Sequence, residues 1–271
     1  MDQTSAVLFF DIDGTLIYHS PGANVGDTVI WARPTDRTFD AFRHLRERGH
    51  KTFICTGRPR TLVNEGLMAL NPTGLVTLAG ACLIIDGKKV YERTIDENLL
   101  KDTVSWLVER NIPVMFEGSE NCAALVPEGP NPFTMFDAPV VRSMADLRAK
   151  TDLRFSKFSY HGDAIRRVGQ MDGELRASYG LYNLGVGAGE AAPVGIDKGE
   201  GVRHTLEVLG HSIQGTFAFG DSENDLPMLR AVETPVAMGN ALDSVKSEAA
   251  YITDPVEHDG VATALEHFHL I

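Results

Sequence analysis

Two carboxylates set two residues apart, Asp11 and Asp13, follow the apolar run Val7-Leu8-Phe9-Phe10 and precede Gly14-Thr15-Leu16. On a strand that continues this far, a spacing of two turns both side chains to one side. Three further groups recur beside glycines: the hydroxyl of Thr56 before Gly57-Arg58-Pro59, the amine of Lys198 before Gly199, and Asp221, Asn224 and Asp225 after Gly220. Each taken alone is ordinary, since Asp and Gly make turns and Thr caps helices. Together they would put four acidic groups in one place. Two like charges 4 Å apart repel by about 4 kcal/mol at an effective dielectric near 20. Such a cluster needs a cation, and carboxylate oxygens select a hard divalent one, with Mg²⁺ the usual choice beside phosphate. With Lys198 and Thr56 added, the site calls for an anion that bridges metal, amine and hydroxyl, namely a phosphoryl group.

The chemistry follows from the residue types. Asp11, ionised at neutral pH by its ordinary pKa, can attack phosphorus and form an aspartyl phosphate, splitting one hard step into two. Asp13 can protonate the leaving oxygen and then take a proton from the water that hydrolyses the intermediate. The acid role asks for a raised pKa at Asp13, which crowding by like charges can supply.

These residues must be held by strand ends. Val7–Phe10 is short, apolar and bounded by turn residues, as a buried strand of a parallel sheet is. A polar loop over 17–34 follows, then a helix over 37–48 capped by Thr35-Asp36, a strand over 51–55, a helix over 60–70 and a strand over 75–78. A parallel pair with a right-handed crossover results. Strand ends at the carboxyl edge of such sheets are where open α/β folds keep their ligands.

From residue 82 the texture changes. An Asp86-Gly87 hairpin, a helix over 98–110, strands over 113–116 and 123–126, a Pro-rich loop over 128–139, and further helices and strands to 184 read as an antiparallel-rich α+β segment. The α/β rhythm resumes at Ala192, with a helix ending at Gly210, strands over 216–219, 235–238 and 251–253, and a last helix over 261–268. The expected architecture is α/β: a Rossmann-like parallel-sheet core, residues 1–81 and 190–271, with an inserted cap domain, residues 82–189.

Composition limits the partners. A net charge of −12 over 271 residues, with 43% hydrophobic and 23% charged residues, describes a water-soluble globular chain without a basic face for nucleic acid or anionic membrane. Three cysteines, Cys55, Cys82 and Cys122, are too few and too far apart for a disulfide framework or a zinc site. Without a leader-like segment or a long apolar run, a cytoplasmic protein is expected, a monomer or weak homodimer.

Asp11-x-Asp13-Gly-Thr, Thr56-Gly-Arg, Lys198-Gly and Gly220-Asp221-x-x-Asn224-Asp225, in this order, resemble the four motifs of the haloacid dehalogenase superfamily. Cys-Thr-Gly-Arg, Ile-Asp-Lys-Gly and Ala-Met-Gly-Asn-Ala resemble its Cof-type phosphatase branch. The resemblance implies that Asp11 is nucleophile and metal ligand, and that Asp13 is acid/base and a ligand through its backbone carbonyl. It implies that Thr56 and Lys198 hold phosphate, that Asp221 binds metal, and that Asn224 lies near the phosphate. Asp225 is implied in the metal's outer shell or bonded to Lys198, with Gly57, Arg58 and Asn240 as weaker members. The family's frequent Asn-Gly-Ala after the third strand is Ala79-Gly80-Ala81 here, so a substrate contact from that Asn is lost. In the cap, Lys157, His161 and Glu117 could meet the rest of the substrate, or be plain solvated residues.

The function expected is Mg²⁺-dependent hydrolysis of small phosphorylated metabolites, such as sugar phosphates or phosphorylated cofactors. A phosphomutase using the same Asp11 and Asp13 is one alternative. A non-catalytic module that binds phosphorylated ligands is another.

Overall fold

The computed structural model describes residues 5–20, 31–134, 137–184 and 187–271. Residues 21–30 of the expected loop lie outside the described residues. The chain divides into two compact units, Met1–Tyr91 with Asp197–Ile271, and Glu92–Ile196.

The first unit is built on β1 (Val7–Phe10), which is buried along its whole length. Phe9 stacks on Phe53 with ring centroids 5.4 Å apart, and Phe10 packs between Phe42 and Phe219 at 4.8 and 4.7 Å. Aromatic rings on both faces of one strand explain why its sequence does not alternate. Parallel neighbours flank it: β2 (Lys51–Cys55) with Phe10 beside Ile54, and β12 (Thr216–Gly220) with Phe10 beside Phe219. β3 (Gly74–Thr77) adds to β2, and β13 (Thr234–Ala237) and β14 (Tyr251–Ile252) add to β12, all parallel. Helix α1 (Asp36–Glu47) is capped by the Thr35 hydroxyl, which accepts the Thr38 N–H, and buries Ala41, Phe42 and Leu45.

Two expectations about this unit are corrected. The hairpin β4 (Cys82–Ile85) and β5 (Lys88–Glu92) belongs to the first sheet, because β4 pairs antiparallel with β3. The inserted segment therefore starts at Glu92. The helix expected over 60–70 is broken into a 3₁₀ turn at Arg60–Leu62 and a short α2 (Glu65–Met68). Asn64 makes the break, its side chain accepting the Leu67 N–H as a new helix cap.

The second unit is a six-stranded sheet in the order β10-β11-β9-β6-β7-β8. Its strands are β6 (Val114–Glu117), β7 (Cys122–Leu125), β8 (Val140–Val141), β9 (Lys157–His161), β10 (Tyr179–Asn183) and β11 (Ala188–Pro193). Helix α3 (Glu97–Glu109) contributes Leu100, Val104, Trp106 and Leu107 to a core shared with Val114, Phe116, Phe158 and Tyr179. The sequence Ala-Gly-Glu-Ala-Ala-Pro of β11 has no β-branched residue and was not expected as a strand. Its pairing with β9 and β10 carries the inserted segment on to Ile196. Among the described residues, no helix is long and apolar enough to cross a membrane.

Candidate active site

The in-register strands β2, β1 and β12 end together, so Thr56, Asp11 and Asp221 all emerge at one edge of the first sheet. Asp11 donates its N–H to the Phe219 carbonyl at 3.0 Å, tying it to β12. Lys198 opens helix α4 (Lys198–Leu209), whose start is capped by Asp197 accepting the Glu200 N–H at 2.8 Å. From there its Nζ reaches Asp11 Oδ1 at 2.5 Å and Asp225 Oδ1 at 2.6 Å. The other Asp225 oxygen accepts the backbone N–H groups of Asp221 and Ser222 at 2.9 and 3.0 Å. Lys198, Asp225 and Asp11 are 1%, 0% and 4% exposed, so these charges interact with little water between them. Burial works against the ammonium, but Asp11 and Asp225 outweigh it and hold Lys198 charged, well above its ordinary range.

One oxygen from each of Asp11, Asp221 and Asp225 lies within 4.8 Å of the others. Asp221 Oδ1 is buried with no hydrogen-bond partner among the described residues. Three clustered oxygen donors, one of them orphaned, fit a hard divalent cation. Gly14 leaves room for this arrangement: a Cβ there would stand 2.2 Å from Asp221 Oδ2, and its φ of +84° disfavours any other residue. Burial, then the charge of Asp225, pushes Asp11 up to about 7 against the pull of Lys198, and Asp221 up to about 9. This upward push opposes the full ionisation expected of Asp11 at neutral pH, and a cation bound here would favour the ionised form.

Asp13 is placed differently. Its carboxylate is gripped by Arg58, with Nε donating to Oδ2 at 2.9 Å and Nη2 donating to Oδ1. His19 Nε2 stands 2.7 Å from the same Oδ1. Burial pushes upward, but the His19 hydrogen bond and the Arg58 charge and hydrogen bonds prevail and hold Asp13 well below the usual carboxylate range. The raised pKa expected from like-charge crowding is thus corrected, because the Arg58 guanidinium and a His19 hydrogen bond face this group. His19 was not singled out from the sequence; it lay in a stretch read as polar loop. The tight turn after β1, where Leu16 and Ile17 both donate to the Ile12 carbonyl and Gly14 to that of Ile17, leads the chain back toward Asp13.

Thr56 is 1% exposed, and its hydroxyl accepts the Arg58 N–H at 3.1 Å across Gly57. Arg58 also donates to the Leu62 carbonyl at 3.2 Å, so the guanidinium expected to face phosphate is engaged with protein groups. Asn224 lies in the turn after β12, its Oδ1 accepting the Ser222 hydroxyl at 2.7 Å. Asn240 links three loops, donating to the Gly14 carbonyl at 2.9 Å, standing 3.5 Å from Asp221 Oδ2, and accepting the Val256 N–H at 2.8 Å. Ala79 holds the left-handed conformation (φ 54°, ψ 36°) and donates its N–H to the Thr56 carbonyl. Cys55 is buried in β2, and burial raises its thiol far above its ordinary range, as suits an inert core residue.

In the second unit Lys157 and Glu117 are neither solvated nor free. Lys157 Nζ lies 3.0 Å from Glu117 Oε2 and 3.2 Å from Glu190 Oε2, with all three residues at most 4% exposed. His161 is exposed, its ring 5.0 Å from Phe133.

With fold and geometry in place, comparison with known proteins gives the class. Residues 8–265 match the model of the haloacid dehalogenase-like hydrolases, and the chain belongs to that family. Its place there is among the phosphatases. YkrA of Bacillus subtilis (strain 168), whose phosphatase name is itself provisional, is 29% identical over 98% of this chain and 99% of its own. An HMP-PP phosphatase of Enterobacter sp. (strain 638) is 25% identical over 96% of this chain and 92% of its own. The solved structure of the subclass IIB sugar phosphatase BT4131 superposes with a TM-score of 0.80 at 24% identity, covering 98% of this chain and 100% of that one. BT1666 from Bacteroides thetaiotaomicron gives 0.81 at 22% identity, covering 100% and 97%. At such identities the structures speak for the fold.

Proposed function

We propose that this enzyme hydrolyses small phosphorylated metabolites, sugar phosphates or phosphorylated cofactors, with Mg²⁺ and through an aspartyl phosphate on Asp11. The observation that carries the reading is the buried Asp11–Lys198–Asp225 network beside the orphaned Asp221 oxygen. It combines a nucleophile, a fixed positive charge and an oxygen cluster that needs a cation. Asp11 and Asp221 would hold Mg²⁺, with the Asp13 backbone carbonyl as a further ligand. The ion would supply screening of Asp11 from its anionic substrate and charge stabilisation of the phosphoryl oxygens.

The chain's own residues do the rest. Lys198 and the Thr56 hydroxyl bind phosphoryl oxygens, with Gly57 giving the backbone room and Asn224 nearby, while Asp225 aims Lys198. An Asp11 oxygen forms a bond to phosphorus as the bond to the leaving oxygen breaks. The leaving oxygen keeps the electron pair and takes a proton from Asp13, whose protonated form the negative charge of the arriving phosphoryl group favours against the pull of Arg58 and His19. Asp13, now a carboxylate, takes a proton from water as that water's oxygen attacks phosphorus. The bond to Asp11 breaks, phosphate departs, and Asp13 is reloaded.

Phosphate release from a panel of phosphorylated metabolites, with Mg²⁺ or with EDTA, tests this. Release should require Mg²⁺ and disappear in Asp11→Asn. Release that persists in EDTA or in Asp11→Asn would defeat the reading.

A further inference from the structure

Asp13 is held from two sides by groups of different standing. Arg58 is 8% exposed and anchored by the Leu62 carbonyl, so it forms a rigid wall. His19 comes from the loop after the first motif, and nothing in the sequence pattern marks it. Beside a carboxylate, which only accepts, His19 Nε2 must carry the hydrogen. The Asp13 side chain keeps 42% of its surface accessible, so packing alone does not fix its rotation. Arg58 grips both Asp13 oxygens, and His19 adds a further donor on Oδ1, which tightens the hold on plane and angle. Acid catalysis demands such fixing, because the proton must lie on the line to the leaving oxygen.

We infer that His19 is a positioning residue for Asp13. With Arg58 it sets the direction from which Asp13 addresses the leaving oxygen. The inference rests on the hydrolytic role proposed for Asp11 and Asp13. In the step it serves, the P–O bond breaks, the electron pair stays on the leaving oxygen, and the Asp13 proton moves onto it. His19 neither gains nor loses a proton.

The need for that proton depends on the leaving group. An alkoxide is strongly basic and cannot depart without it; p-nitrophenolate is weakly basic and can. The test measures kcat and KM for an alkyl phosphate and for p-nitrophenyl phosphate in wild type, His19→Ala and His19→Gln, with Asp11→Asn alongside. In His19→Ala the ratio of kcat on the alkyl ester to kcat on the aryl ester should fall about tenfold, the scale of one charge-assisted hydrogen bond. KM should change little. His19→Gln, whose amide N–H can donate to Asp13, should restore most of the ratio. An unchanged ratio, whether both rates fall or neither does, would overturn the inference while leaving the hydrolytic reading intact. So would a His19→Gln variant as impaired as His19→Ala. Wild type that hydrolyses neither ester with Mg²⁺ would remove the hydrolytic reading, and this inference with it.

Discussion

Asp11 and Asp13 are two residues apart and carry the same side chain, yet their surroundings drive them in opposite directions. Asp11 faces Asp225 in a buried site and is pushed up to about 7; Asp13 faces Arg58 and His19 and is held low. The pairing of carboxylates was legible in the sequence because the residue types and the Gly-Thr turn are local. Their electrostatic separation was not, because Arg58 and His19 reach Asp13 through the fold. A sign follows for stability. Asp11 and Asp221 have raised pKa values when folded, so the folded state keeps protons that the unfolded chain has lost. Between about pH 4, where an unfolded aspartate ionises, and about 9, where Asp221 does, this pair makes metal-free stability fall as pH rises. Mg²⁺ should reverse that by binding the ionised form, giving about 2.7 kcal/mol at a hundredfold excess over its Kd. Thermal melts should show a larger Mg²⁺-induced rise in Tm at pH 8 than at pH 5.5. Asp221→Asn should melt higher than wild type at pH 8 without metal and lose most of the Mg²⁺ response. A Mg²⁺ shift that shrinks as pH rises would contradict the assignment.

At the scale of elements, the site depends on how closely turns approach one another. Gly80 has φ +100°, and a Cβ there would stand 2.0 Å from the Asp197 carbonyl, at the cap of the helix that presents Lys198. Gly80→Ala should therefore cost about 3 kcal/mol or more in urea unfolding and displace Lys198, lowering kcat as well. Its neighbour Ala79 is in the left-handed region without a glycine's freedom. Ala79→Gly should add about 1 kcal/mol, since an L-residue pays about that much there. The strand ends and their glycines could be read from sequence because apolar runs and turn residues are local signals. The broken helix after Pro59 could not, since the Asn64 cap competed with an otherwise helical pattern. β11 escaped because its Ala, Gly and Pro hold no strand preference, and only pairing with β9 and β10 makes it a strand.

On the scale of the whole molecule, each unit has its own core and its own buried charges. In the second, Lys157 joins Glu117 and Glu190 on three different strands, and burial is outweighed by the two carboxylates, which keep the amine charged far above its ordinary range. Such a group stabilises while Lys157 is charged; its contribution is lost only as pH rises through the raised pKa. Lys157→Met would leave two carboxylates buried without their cation and should cost about 3–5 kcal/mol in urea unfolding. A loss below about 1 kcal/mol would show that water reaches these groups. The net charge of −12 makes the local positive charge of Lys198 and a bound cation the more necessary for an anionic substrate. In the proposed reaction Asp11 itself carries the phosphoryl group. Mass spectrometry of enzyme quenched in acid within one turnover, with Mg²⁺ and a hydrolysed substrate, tests it most directly. A phosphorylated peptide containing Asp11 should form before phosphate is released and decay as it appears. Phosphate release with the group on another residue, or with unmodified Asp11 at every time before the first turnover, would contradict it.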